Sequence, residues 1–195
     1  MLFFTSDTHF GSNQIIIREN RPFKNYKNFK KYIIKLWNKQ LKKDDIIYHL
    51  GDFINYNDKD QISWIKALSY VKKIKAKIIL IIGNNEERII DKTFKGDFQK
   101  FKDFCIGIGF FDVKKDDIIE LKGQKFYLNH YPKKYKKGFT NLFGHTHRVT
   151  GLWKPFGINV GCDLNHFMLY SEKDVLKLVK QKNTYWDNDP NNFIY

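Results

Sequence analysis

Cysteine, arginine and long apolar runs are all scarce here, and each scarcity removes a class of explanation. The two cysteines, Cys105 and Cys162, make no disulfide framework, so a reduced, cytoplasmic protein is the simplest expectation. The longest purely aliphatic stretch, residues 78–82, falls far short of the ~20 residues a membrane-spanning helix needs. The first residues, from Met1 to Asp7, carry neither a basic segment nor a long apolar one and do not read as a secretory signal. No internal repeat or low-complexity linker is visible. Neither a membrane nor an obligate protein partner is expected.

Aromatic residues and lysine are abundant instead. A chain of 195 residues can bury roughly 70% of its unfolded surface, and 18 Phe supply bulky packing for such a core. The net charge of +14 gathers polyanions at long range, which raises nucleic acid as a partner. Yet only four of the 35 basic residues are Arg, and the 31 Lys fall in pairs such as Lys30-Lys31 and Lys72-Lys73 along expected helices and loops. Solvated faces are the plainer explanation of such pairs. The charge favours a small phosphorylated substrate without naming one.

Strands and helices alternate through the first half. Residues 2–4, 46–50 and 78–82 read as short buried strands. Residues 28–42 carry Phe29, Ile33, Leu36, Trp37 and Leu41 at near-helical spacing, and residues 60–71 place Ile62, Ile65 and Leu68 on one helical face. Such units predict parallel strands joined by crossover helices, with ligands gathered at the strands' carboxyl ends. The second half reads as a hairpin over 117–121 and 125–129 with Gly123 at its turn, then strands near 141–143 and 158–160. A last helix, N-capped by Ser171, is expected to run to about residue 181. These elements predict one α/β domain with two packed sheets over residues 1–182, followed by a docked or frayed tail over 183–195.

The chemistry lies in short motifs at the strand ends: Asp7-Thr8-His9, Gly51-Asp52, Gly83-Asn84, His130 and Gly144-His145-Thr146-His147. Carboxylate, amide oxygen and imidazole suit divalent ions such as Mn²⁺, Fe²⁺ or Zn²⁺, and seven such side chains are too many for one tetrahedral site. The pairs Asp7/His9 and His145/His147 have a spacing of two, which in extended chain projects both side chains to one face. Gly51, Gly83 and Gly144 let the backbone turn sharply close to a site. A two-metal hydrolase is expected.

Together these residues resemble the calcineurin-like metallophosphoesterase superfamily. They look closest to small bacterial and phage members, whose recurring phrases resemble Ser6-Asp7-Thr8-His9-Phe10-Gly11, Asn20-Arg21-Pro22-Phe23, residues 44–53 and Asn159-Val160-Gly161. The resemblance runs from Leu2 to about Lys182. It implies an α/β, four-layer α-β-β-α sandwich of two mixed β-sheets flanked by helices. It further implies Asp7, His9, Asp52 and His147 at one metal, and Asp52, Asn84, His130 and His145 at the other, with Asp52 bridging. Two divalent ions are the implied cofactors, Mn preferred, with Fe, Zn or Ni also suited. Ions ~3.5–4 Å apart can share a hydroxide that attacks phosphorus in line, so no Ser or Cys nucleophile is required.

Two departures from the resemblance bear on the reaction, one of them Ser12, where the closest group often carries a further histidine after Phe10-Gly11. The other is that the superfamily's usual Gly-Asn-His-Asp or Gly-Asn-His-Glu stands here as Gly83-Asn84-Asn85-Glu86, so an amide replaces the histidine that protonates a leaving group. An amide cannot serve as general acid, although it can donate a hydrogen bond to a phosphoryl oxygen. Members lacking that histidine are often phosphodiesterases, and a phosphodiesterase on nucleotide-like or other small phosphodiesters is favoured. His166, Arg88 or a metal-bound water can stand in for the lost acid.

Several residues keep two readings. Arg18 and Arg21 suit bidentate grip on a substrate phosphate, or anchoring of a helix end and the Pro22 turn. Lys133 and Lys134 lie in a segment, 131–139, that interleaves basic and aromatic groups after His130; it can steer a backbone phosphate or be a plain solvated loop. His49, inside an apolar strand, reads as a core histidine rather than a ligand. The alternatives to a small-molecule phosphodiesterase are a nuclease on single-stranded nucleic acid, a broad phosphomonoesterase, and a non-catalytic scaffold on the same fold.

Overall fold

The computed structural model describes residues 1–56, 63–148, 152–153 and 157–186. In chain order these form β1 (Leu2–Thr5), α1 (Gln14–Arg18), α2 (Tyr26–Gln40), β2 (Ile46–Leu50), α3 (Trp64–Leu68), β3 (Lys77–Ile81), α4 (Asn84–Phe94), α5 (Phe98–Ile108), β4 (Asp112–Lys114), β5 (Asp117–Leu121), β6 (Gln124–Leu128), β7 (Thr140–Phe143), β8 (Leu152–Trp153), β9 (Gly157–Asn159), β10 (Tyr170–Ser171) and α6 (Glu172–Trp186).

Two mixed five-stranded sheets, flanked by helices, result. The first runs β10-β1-β2-β3-β4, parallel except for β10, and the second runs β5-β6-β7-β9-β8. Residues of β1 to β3 alternate between two cores, because successive side chains of a strand point to opposite faces. Phe3, Ile47, Ile78 and Leu80 pack with Phe29, Ile33 and Trp37 of α2, Ile89 and Ile90 of α4, and Phe101 and Cys105 of α5. Phe4, Tyr48, Leu50, Ile79 and Ile81 meet Phe126, Leu128, Leu142 and Ile158 of the second sheet. Burial on both faces explains why these strands are nearly continuous apolar runs.

Element boundaries shift modestly from the sequence expectation. The helix expected over 28–42 starts at Tyr26, because the Asn25 side chain accepts from Asn28 N and caps it. The helix expected over 60–71 is α3 followed by a 3₁₀ turn, Ser69–Lys73; its expected first residues, 60–62, lie outside the described residues. The last helix continues to Trp186, past the boundary placed at 182, and the rest of the expected tail, 187–195, lies outside the described residues. The sequence gives no expectation for α1, α4, α5, β4, β8 or β10.

Candidate metal centre

Register brings the motifs to one edge. Thr5 of β1 pairs with His49, and Leu50 of β2 pairs with Ile81 of β3, so the three parallel strands end together just before Asp7, Asp52 and Asn84. In the second sheet Leu128 of β6 pairs in parallel with Leu142 of β7, which sets His130 beside the turn carrying His145 and His147. The loops are tightly bent there. Asp7, His9, Asp52, His145 and His147 have φ between 49° and 71°, a left-handed conformation that costs about 1–3 kcal/mol at each non-glycine residue and persists only where its surroundings over-determine it. The glycines allow the crowding. A Cβ on Gly144 would run into Ser6 Oγ and Asp7 Oδ2, and one on Gly51 would strike the His130 ring.

The seven donors converge. His9 Nε2 lies 3.5 Å from Asp52 Oδ2 and 4.0 Å from Asp7 Oδ1, and His147 Nε2 is also 4.0 Å from Asp7 Oδ1. His130 Nε2 stands 3.8 Å from Asp52 Oδ1, 3.3 Å from Asn84 Oδ1 and 3.2 Å from His145 Nδ1. Two sets have ligand atoms that all lie within 4.8 Å of one another: Asp7, His9 and His147, and Asp7, Asp52 and His130. Asp7 is common to both, so in this geometry it stands as centrally as Asp52.

The donors suit divalent cations. Both ring nitrogens of His9 are buried without a hydrogen-bond partner, an arrangement that is costly unless a cation takes up a lone pair. Burial, helped by His147 and Arg21, holds the His9 pKa well below the usual imidazole range, so the ring is neutral as ligation demands. His130 and His147 have their outer nitrogens engaged. Nδ1 of His130 lies 2.7 Å from Leu50 O, and Nδ1 of His147 lies 3.2 Å from Asp163 Oδ2. Each contact places the proton on Nδ1 and turns Nε2 toward the cluster. Burial opposes charge on His147, but the Asp163 hydrogen bond and the Asp7 and Glu19 carboxylates outweigh it and raise its pKa.

Supporting residues hold this arrangement from beneath, several of them with little to mark them in the sequence. Arg21 donates to both Asp163 oxygens at 2.7 and 2.8 Å, to Asp7 O at 2.7 Å and to Thr8 O at 3.0 Å. This contradicts its candidacy for substrate binding: the guanidinium is fully buried with its donors committed to the strained loop. Asp163 is held near a pKa of about 2; burial raises it, but the His147 and Arg21 hydrogen bonds prevail. Glu86 accepts from Gly83 N, Asp52 N and Phe53 N at 2.8, 2.9 and 3.0 Å, tying the start of α4 to the loop after β2. Burial and the Asp52 charge push Glu86 up to about 7 against the pull of those bonds. Asn159 Nδ2 donates to Thr146 Oγ1 and His147 O, fixing the last loop. Glu86 and Asn159 stand within the motifs Gly83-Asn84-Asn85-Glu86 and Asn159-Val160-Gly161, and that position is the one mark the sequence gives them. Nothing local marked Asp163.

A cavity of about 720 Å³ opens over the donors, lined by His9, Asp52, Asn84, His145 and His147 together with Asn85, Arg18, Arg88 and Arg148. Of the other candidates, His166 sits on an exposed turn after the 3₁₀ segment Cys162–Leu164 and does not line it. Neither Lys133 nor Lys134 reaches it. Lys134 stands over the Tyr131 ring, 4.0 Å from Glu87, beside a separate cavity. Asn85 is buried and locked in place: its Nδ2 donates to Asp52 Oδ2 at 2.6 Å, its backbone N to Asp52 Oδ1 at 3.0 Å, and its Oδ1 accepts from Tyr56 N at 2.9 Å. His49 is a core residue, its Nε2 3.0 Å from Thr8 Oγ1. Cys105 and Cys162 are buried free thiols whose pKa burial raises, which makes them poor nucleophiles.

The family model for calcineurin-like phosphoesterases matches residues 2–170. The chain belongs to the calcineurin-like phosphoesterase family. An uncharacterized protein of Methanocaldococcus jannaschii is 29% identical over 189 residues, 92% of this chain and 92% of that one. A solved protein of unknown function from Aquifex aeolicus superposes with a TM-score of 0.61 at 25% identity, covering 91% of this chain and 98% of its own. A phosphoesterase from E. coli superposes more loosely, with a TM-score of 0.46 at 16% identity over 82% of this chain and 77% of its own. Membership in the calcineurin-like phosphoesterases makes metal-dependent phosphoester hydrolysis the chemistry of this centre and divalent ions its cofactors. Among the described residues no helix is long and apolar enough to cross a membrane.

Proposed function

We propose that the chain is a phosphodiesterase using two divalent ions, manganese favoured, on nucleotide-like or other small phosphodiesters. One ion would sit among Asp7, His9, Asp52 and His147, and the other among Asp52, Asn84, His130 and His145. Bound divalent cations activate water and neutralise charge developing on a phosphoryl group.

The observation that carries the diester preference is Asn85. The position where a histidine would deliver a proton to the leaving group holds an amide whose own hydrogen bonds go to Asp52 and Tyr56. Asn85 therefore orients Asp52 rather than protonating anything. General acid catalysis is worth ~10²–10⁴-fold on a poor leaving group, so its absence weighs against broad monoesterase activity. Arg88 lines the cavity and can stabilise negative charge there, whereas His166 does not line it. The scaffold alternative is disfavoured by the intact, converging donor set.

The test is a panel of an activated diester and the matching monoester with Mn²⁺, Fe²⁺, Ni²⁺ and Zn²⁺, run on the wild type and Asn85→His. Diester turnover with little monoester turnover is expected, and Asn85→His should raise the monoester rate selectively. Monoester hydrolysis by the wild type at a rate equal to the diester would overturn the reading. Metal content by mass spectrometry, with Asp52→Asn as control, tests the scaffold: tight metal binding with no phosphoester hydrolysis would establish it.

A further inference from the structure

The chain uses lysine 31 times and arginine four times, and all four arginines are at the metal centre. Arg18, Arg88 and Arg148 line the cavity, and Arg21 lies buried beneath it, bonded to Asp7 O and Asp163. Cationic surface alone does not account for this, since lysine supplies it everywhere else. What distinguishes arginine is a planar fork of five donors that matches phosphate in bidentate fashion, where lysine offers a point charge.

The three cavity arginines stand at two ends. Arg18 Nη2 lies 3.2 Å from His147 Nε2 while its Nε pairs with Glu19, and Arg148 Nη2 approaches Asn20 O, so both belong to the His147 end. Arg88 lies one helical turn beyond Asn84 on α4, which places it at the Asn84 end. Among the described residues no hydrogen bond or ion pair holds its guanidinium, so no structural duty explains an arginine there. The donor cluster lies between. A cavity of about 720 Å³ is in the range that encloses a whole ligand.

Resting on the phosphodiesterase reading, we propose that Arg18, Arg88 and Arg148 are specificity-determining residues that grip phosphates on either side of the scissile one. The preferred substrate is then a diester within a chain of phosphates, as in a short single-stranded oligonucleotide. Arg18 and Arg148 take the phosphate beyond one ester oxygen, and Arg88 takes the phosphate beyond the other.

Two dinucleotides share one scissile bond and separate the effects: thymidylyl-thymidine with free ends, and the same molecule phosphorylated at both its 5′ and 3′ ends. With Mn²⁺ at low salt, kcat/KM is expected to favour the doubly phosphorylated form by about tenfold or more, chiefly through KM, since one charge-assisted contact is worth about that factor. The advantage should shrink in 0.5 M salt. Arg88→Lys and Arg148→Lys should each reduce it severalfold, and Arg18→Lys/Arg88→Lys/Arg148→Lys should remove it, while Lys35→Ala, on α2, should preserve it. Binding of phosphorothioate versions of both dinucleotides, followed by anisotropy, reads the same preference without requiring turnover. Equal kcat/KM and equal binding for the two forms, or an advantage that survives the triple substitution, would overturn the assignment while leaving diester hydrolysis standing. Failure to cleave bis(p-nitrophenyl) phosphate with any of the four metals would instead remove the phosphodiesterase reading itself.

Discussion

His9 presents two buried, unbonded ring nitrogens among carboxylates, and a metal-free protein carries the resulting cost. Added Mn²⁺ should therefore stabilise the fold by mass action, by about 2.7 kcal/mol when the free ion stands at 100 times its dissociation constant. Thermal unfolding with and without Mn²⁺ measures this, and Asp52→Asn should lose most of the gain. Close packing at Gly144 makes a second residue-scale expectation. Gly144→Ala forces a methyl group against Asp7 and Ser6, so manganese content should fall sharply while circular dichroism stays native. A third concerns acid. Burial, with His130 adding to it, pushes His49 down to about 3, so the native ring stays neutral where an unfolded one takes a proton near 6.5. Between those values the unfolded state binds more protons, so stability is full above pH ~6.5 and falls as pH drops toward 3, by a few kcal/mol in all. Urea midpoints across this range should show the slope, and His49→Gln should flatten it.

Among the elements, the start of α4 is joined to the loop after β2 by one side chain. Glu86→Ala would leave three buried backbone N–H groups, those of Gly83, Asp52 and Phe53, without their acceptor. A loss of roughly 2–4 kcal/mol is expected from urea unfolding, together with weaker metal binding, because the displaced backbone carries Asp52. The sequence made β1, β2 and β3 legible, since strands buried on both faces are continuous apolar runs bounded by polar turns. It hid α4. Only three of its eleven residues, Ile89, Ile90 and Phe94, are apolar, too few to repeat over successive turns, while the buried Asn85 and Glu86 of its first turn have a duty at the site. Strands β4 and β10 are only three and two residues long and owe their existence to pairing with β3 and β1, a long-range event with no local periodicity.

At the scale of the molecule, the centre exists because two sheets stack with their strand ends aligned. Leu142, fully buried in β7 against Leu128 and Phe4, belongs to that interface. Leu142→Ala should cost about 2–5 kcal/mol in unfolding free energy, and its proximity to His145 should make it loosen metal as well as lower the melting temperature. The candidate ligands were readable because Asp, Asn and His recur after apolar runs and glycines. Their support was not readable. Arg21 and Asp163 are 142 residues apart and meet only in three dimensions, which is why the sequence left Arg21 open between a substrate contact and an anchor. His166, Lys133 and Lys134 failed for the converse reason: sequence proximity to a motif does not aim a side chain at the cavity.

The proposed function depends on Asp7, His9, Asp52, Asn84, His130, His145 and His147 holding cations together. Anomalous diffraction at the manganese edge from crystals grown with Mn²⁺ tests that most directly. Two peaks are expected, one beside His9 and His147 and one beside Asn84, His130 and His145, both near Asp7 and Asp52. No peak in the cluster, or manganese bound only elsewhere, would contradict it.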